Sequence, residues 1–145
     1  MLTVTGQKIL DRPVADLWRL LMDPQVLRKC IPQCEEFEVV TPTKYRVAIK
    51  VGFGLVKGSF RGEAELKDVV ELERYRLEVH AKGTTGFIQG QTDVRLTPLD
   101  GGRGTELTYE SRAQIGGMLA SVGARFLQGA ARSFAGEFFD ELAKL

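Results

Sequence analysis

Residues 105–145, TELTYESRAQIGGMLASVGARFLQGAARSFAGEFFDELAKL, decide the fold of this chain. Up to Ile115 every second residue is apolar or small: Thr105, Leu107, Tyr109, Ser111, Ala113, Ile115. That period of two marks a strand with one face toward a core. After Gly116-Gly117 the period becomes helical. Met118, Val122, Phe126, Ala130, Phe134, Phe138 and Leu142 form one stripe, broadened by Leu119, Leu127 and Phe139. A single helix from Gly117 to Leu145 would be roughly 40 Å long. A strand therefore feeds directly into a long amphipathic helix, and the helix must lay its stripe on a sheet.

Working upstream, the sheet is plain in the alternation. Tyr45, Val47, Ile49, Val51 and Phe53 share one phase, and Lys44, Arg46, Ala48 and Lys50 the other. Gly58, Phe60, Gly62, Ala64 and Leu66 alternate with charged residues, as do Tyr75, Leu77, Val79 and Ala81. Ile88, Gly90, Thr92, Val94 and Leu96 form a further strand, joined to the last by a turn at Asp100-Gly101-Gly102. Such strands make an antiparallel sheet with one side in water. Leu2 to Leu10 is a strand at the start. Asp11 is placed to cap a helix through Val14, Leu17, Trp18 and Leu21, with Pro13 in its first turn. Asp23-Pro24 opens a second short helix containing Val26, Leu27 and Cys30, and Thr41-Pro42-Thr43 is a turn between strands. Strand, two short helices, many strands and a long helix make an α+β domain spanning residues 1–145.

Composition sets bounds. The chain has 145 residues, 43% of them apolar and 27% charged, with a formal net charge of +1. That balance gives no electrostatic footprint for nucleic acid. No apolar run approaches the ~20 residues that cross a bilayer, and the N-terminus lacks a signal-peptide pattern, so a cytoplasmic location is expected. The cysteines, Cys30 and Cys34, are too few for a zinc site and are expected to be reduced and partly buried.

The inward strand phase is unusually small. Gly58, Gly62, Ala64, Ala81, Gly83, Gly90, Thr92, Ser111 and Ala113 all fall on it. Small residues facing a helix leave volume, and pockets of ~300–1,000 Å³ are the usual ligand size. The expected lining is Phe60, Gly62, Val79, Ala81, Ile88, Gly90, Thr92, Tyr109, Ser111 and Ala113 from the sheet, with Met118, Val122, Phe126 and Phe134 from the helix. Apolar walls would hold an apolar ligand by burial at ~25 cal/mol/Å². Thr92, Tyr109 and Ser111 are the candidate polar contacts. The alternative is that the small residues only accommodate the helix phenylalanines.

Catalytic sets are thin. His80 is the single histidine and lies on the polar phase, so no Ser-His-Asp triad can form. Glu63, Glu65, Glu78, Asp93, Glu106 and Glu110 also face outward, which leaves Tyr45, Tyr75 and Tyr109 as the inward ionisable groups. A non-enzymatic binding protein with no cofactor and no metal is expected. Arg125 is expected to pair with a carboxylate, Asp23 or Glu110. Gly52-Phe53-Gly54-Leu55-Val56 is a glycine-flanked hairpin, open to reading as a lid, a membrane-touching tip or an ordinary turn.

The element order and several motifs resemble the G-subunit family of carbon monoxide dehydrogenase, within the START-like (SRPBCC) helix-grip superfamily. The matching stretches are Leu21-Met22-Asp23-Pro24, Cys30-Ile31-Pro32-Gln33-Cys34-Glu35, residues 51–62, Gly104 to Tyr109, and Ile115 to Arg125. Gly116-Gly117 followed by Gly123-x-Arg125 is the most specific part. Gln33 stands where the family usually has Gly, and no tail-borne membrane anchor is carried over. The resemblance implies a seven-stranded sheet curled around the long helix, with an apolar cavity between them. It implies a quinone or lipid as ligand and a molybdenum hydroxylase of carbon monoxide dehydrogenase type as partner. It also implies peripheral association with the inner membrane. Two alternatives stand beside this carrier: a maturation or recruitment adaptor with an incidental cavity, and a cyclase- or hydrolase-like enzyme using an inner tyrosine.

Overall fold

The computed structural model describes residues 1–53 and 56–145, with side chains left aside at Phe53 and Val56. Seven strands form one antiparallel sheet: β1 (Leu2–Leu10), β2 (Cys34–Thr41), β3 (Lys44–Phe53), β4 (Val56–Val70), β5 (Arg74–Gly83), β6 (Gly86–Leu99) and β7 (Gly104–Gly116). Their order across the sheet is β1-β7-β6-β5-β4-β3-β2. Helices α1 (Val14–Leu21) and α2 (Pro24–Cys30) follow β1, and α3 (Ala124–Ala143) ends the chain.

The alternation read from the sequence holds through the register. Inward residues line up in rows across the strands. One row is Val47, Gly62, Ala81, Ile88 and Ile115; the next is Tyr45, Ala64, Val79, Gly90, Ala113 and Leu2. The following rows contain Leu66, Leu77, Thr92, Ser111 and Val4, then Tyr75, Val94, Tyr109 and Gly6. The outward phase carries cross-strand ion pairs, among them Arg46–Glu38, Lys44–Glu63, Arg61–Glu36 and Arg76–Asp93. It is a solvated face.

Two expectations need correction. The last helix is not one piece. Gly117–Val122 is a 3-10 segment, Gly123 sits at φ 94° and ψ 151°, and α3 starts only at Ala124. Twenty residues make α3 about 30 Å long. Asp11 does not cap α1. Pro13 occupies the N-cap position without a side-chain bond. The chain there is held instead by Thr105, fully buried, whose Oγ1 donates to the Arg12 carbonyl at 2.7 Å. Asp23 does cap α2, accepting from the Gln25 N–H at 3.0 Å, with Pro24 next to it. Ile31, preceding Pro32, is already extended, so α2 ends at Cys30.

The dry core is split in two. One cluster joins Leu10, Leu17, Trp18, Leu21, Cys30, Val94, Leu96, Leu107 and Leu142, with Tyr75, Tyr109, Phe138 and Phe139 packed on it. Trp18 meets Tyr75 edge-on, ring centroids 5.9 Å apart at 77°. The second cluster is Phe60 and Leu119, flanked by Ile49, Ile88, Ile115, Val122, Phe126 and Leu127. Helix α3 spans from one to the other, its first turns on the Phe60 cluster and its last on the Leu107 cluster.

Candidate functional site

Between the two clusters both walls are made of small residues. On the sheet these are Gly62, Ala64, Ala81, Gly90, Thr92, Ser111 and Ala113, all half-buried despite facing inward. On the helix the stretch Gly129-Ala130-Ala131-Arg132-Ser133-Phe134-Ala135-Gly136 has two bulky side chains, Arg132 and Phe134. A side chain on Gly129 or Gly136 would meet nothing within 4 Å. The large packed residues of α3 are at its two ends, in the two clusters, and most of its middle is small. The sequence hinted at the sheet wall. It held the same signal for the helix middle, but the apolar stripe hid it.

Two of the small sheet residues have a separate cause. A Cβ on Gly62 would collide with the His80 carbonyl, and one on Gly90 with the Arg112 carbonyl and the Ala113 backbone. These glycines let neighbouring strands approach in a strongly coiled sheet. Gly83 similarly makes room for the Phe60 ring. Ala64, Ala81, Ala113, Thr92 and Ser111 remain as residues whose smallness leaves space.

Among the described residues few polar groups lie on these inward rows. Thr92 Oγ1 and Ser111 Oγ lie 2.7 Å apart. One hydroxyl donates to the other, which leaves one O–H and several lone pairs for a further partner. Tyr109 packs against Phe139 with centroids 5.6 Å apart. Burial pushes its phenol up, opposed in smaller part by the Arg132 charge. Burial also raises Tyr45 and Tyr75 above their ordinary value of 10.0.

The expected lining residues sort into three groups. Gly62, Val79, Ala81, Gly90, Thr92, Ser111 and Ala113 lie together in the half-buried middle, whereas Phe134, in mid-helix, is exposed at 38%. Phe60, Ile88, Val122 and Phe126 form the closed end at the second cluster, and Tyr109 stands at the first. Met118 is elsewhere. Gly117, at φ 74°, and the 3-10 winding turn it outward, leaving it 76% exposed. It joins Phe87, Lys82 and residues 83–86 around an open surface groove of about 430 Å³, where Thr85 Oγ1 is buried without a hydrogen-bond partner. A second groove, about 730 Å³, lies on the outward face among Arg76, Asp93, Arg95 and Glu110. Its charged walls are largely occupied with one another and suit no apolar guest. Arg125 is exposed; Asp23 caps α2 and Glu110 pairs with Arg112 at 2.7 Å. The two cysteines are free thiols, Cys30 buried and Cys34 partly so. The reading of Gly52–Val56 as a membrane-touching tip falls on residues 54 and 55, outside the described residues. Among the described residues no helix is long and apolar enough to cross a membrane.

A curled antiparallel sheet gripping a C-terminal helix, with two short helices after the first strand, defines the START-like class of protein. A START superfamily protein from Mycobacterium smegmatis has this fold, with TM-score 0.76 at 11% identity over 98% of this chain and 94% of that one. The match to a conserved protein from Geobacillus kaustophilus is much nearer, with TM-score 0.94 and 34% identity, covering 99% of this chain and 93% of that one. A protein from Rhizobium leguminosarum gives TM-score 0.73 at 15% identity, over 97% and 91% of the two chains. Residues 6–145 match the family model of the CoxG subunit of carbon monoxide dehydrogenase, and the chain belongs to that family. No curated protein matches it.

Proposed function

We propose that this protein binds an apolar ligand, a quinone or a lipid, in the hollow between sheet and α3, and serves a molybdenum hydroxylase of carbon monoxide dehydrogenase type as a non-enzymatic accessory. One observation carries the proposal. Five inward sheet residues, Ala64, Ala81, Thr92, Ser111 and Ala113, are small and half-buried, and the middle of α3 is mostly glycine and alanine, between two buried clusters. A filled core would interlock at such positions. Family membership supports the partner class, and the lone hydroxyl pair Thr92–Ser111 suits a ligand that is mostly hydrocarbon.

Organic extraction of the protein from its native host, followed by mass spectrometry, tests this. A stoichiometric quinone or lipid is the expected result. A clean extract, with the hydroxylase still recovered alongside the protein, would instead favour a recruitment adaptor whose hollow is slack.

A further inference from the structure

A cation, Arg132, stands in the middle of α3. Gln128, Arg132, Gly136 and Asp140 recur at four-residue steps and share one face of α3. Gln128 Nε2 donates to the Thr3 carbonyl at 3.3 Å, and Asp140 accepts from Lys8 Nζ at 3.1 Å. These two bonds lay that face along β1. They put Arg132 opposite the stretch between Thr3 and Lys8, where Gly6 lies.

Gly6 is paired with Tyr109 in the sheet. A Cβ on Gly6 would come within 2.5 Å of two ring carbons and the hydroxyl oxygen of Tyr109. The phenol therefore lies over Gly6 on β1. Arg132 is near enough for its charge to favour the phenolate, though burial outweighs it. The helix neighbours of Arg132 three and four positions away are Gln128, Gly129, Ala135 and Gly136, none of them acidic. Among the described residues neither the Arg132 guanidinium nor Tyr109 Oη has an ion-pair or hydrogen-bond partner. Arg132 is exposed at the rim of the α3–β1 seam and Tyr109 is half-buried beside Gly6 within reach of its charge, and among the described residues the protein supplies no acceptor to either.

We infer that the seam between α3 and β1 holds the head of the ligand, with Arg132 and Tyr109 donating to an oxygen that accepts hydrogen bonds, while the tail lies along the small-residue rows. The inference rests on the proposal that the hollow takes an apolar ligand. The head is a carboxylate-type oxygen or a quinone carbonyl; both present acceptors to two donors.

Displacement of the neutral dye Nile red by oleate, decylubiquinone and the headless 1-octadecene tests it on the whole chain. Arg132→Ala should weaken binding of the preferred headed probe about tenfold and leave 1-octadecene within about twofold. Arg132→Lys should restore part of the loss, and Tyr109→Phe should lose several-fold on the headed probes alone. A larger loss for oleate identifies a carboxylate head, and a larger loss for decylubiquinone a carbonyl. Equal losses for all three probes, or none, would overturn the head assignment while binding in the hollow stands. Failure of the dye and every probe to bind the unaltered protein would overturn the hollow itself.

Discussion

A methyl group on Gly90 would meet the carbonyl of Arg112 and the backbone of Ala113, while one on Ala81 would only lengthen a side chain in half-buried surroundings. The two positions belong to the same inward face, and their substitutions should differ in kind. Gly90→Ala is expected to destabilise the fold by about 1–3 kcal/mol, seen as a lower urea midpoint, because a strand must shift. Ala81→Phe should leave the midpoint within about 1 kcal/mol and abolish ligand uptake, because its ring would occupy the space proposed for the ligand. Thr105 gives a third contrast. Its replacement by Val leaves the Arg12 carbonyl buried and unpaired, at about 1–3 kcal/mol. The tyrosines set a pH limit. Tyr45, Tyr75 and Tyr109 are held neutral by burial above their ordinary value of 10.0, so the unfolded chain releases its phenol protons first. Their contribution is fully present below pH 10 and is lost as pH rises past it. Absorbance at an alkaline-sensitive wavelength should show tyrosine ionisation together with unfolding, not before it.

At the scale of elements, the break before α3 is the main departure from what periodicity offers. The apolar stripe runs from Met118 to Leu142 without interruption, so the sequence suggests one helix. Gly123 separates two. Its backbone, at φ 94° and ψ 151°, is one that side-chain-bearing residues rarely adopt, and open space surrounds it. Gly123→Ala should therefore cost about 1–3 kcal/mol through backbone strain alone, measurable by thermal melting. The strands were legible because alternation is a local signal. Their inward faces were legible for the same reason. The separate cause of Gly62 and Gly90 was not, since it depends on which residue of the next strand stands opposite, and register is not written in any one strand. Arg132 was hidden likewise: its meaning comes from Thr3 and Lys8, more than a hundred positions away.

For the whole molecule, the architecture is two buried clusters bridged by a long helix over a middle of small, half-buried residues. A guest that fills the middle adds apolar contact without asking either cluster to rearrange. Saturation at a hundred times the dissociation constant should then raise stability by about 2.7 kcal/mol, visible as an upward shift of the melting temperature. The clusters should also outlast the middle in hydrogen exchange: amides of β6 and β7 near Leu96 and Leu107 are expected to exchange more slowly than those near Gly90 and Ala113.

The chain has a single tryptophan, and Trp18 sits edge-on to Tyr75 in the first cluster; Tyr75 is one row of side chains from Thr92 and Leu77. It is a donor chromophore buried in that cluster, near the rows proposed to take the ligand. A quinone or a conjugated dye lodged there would drain its excited state, while a saturated lipid would leave its emission bright. Emission from Trp18 is thus a label-free reporter whose intensity would separate the two proposed classes of cargo.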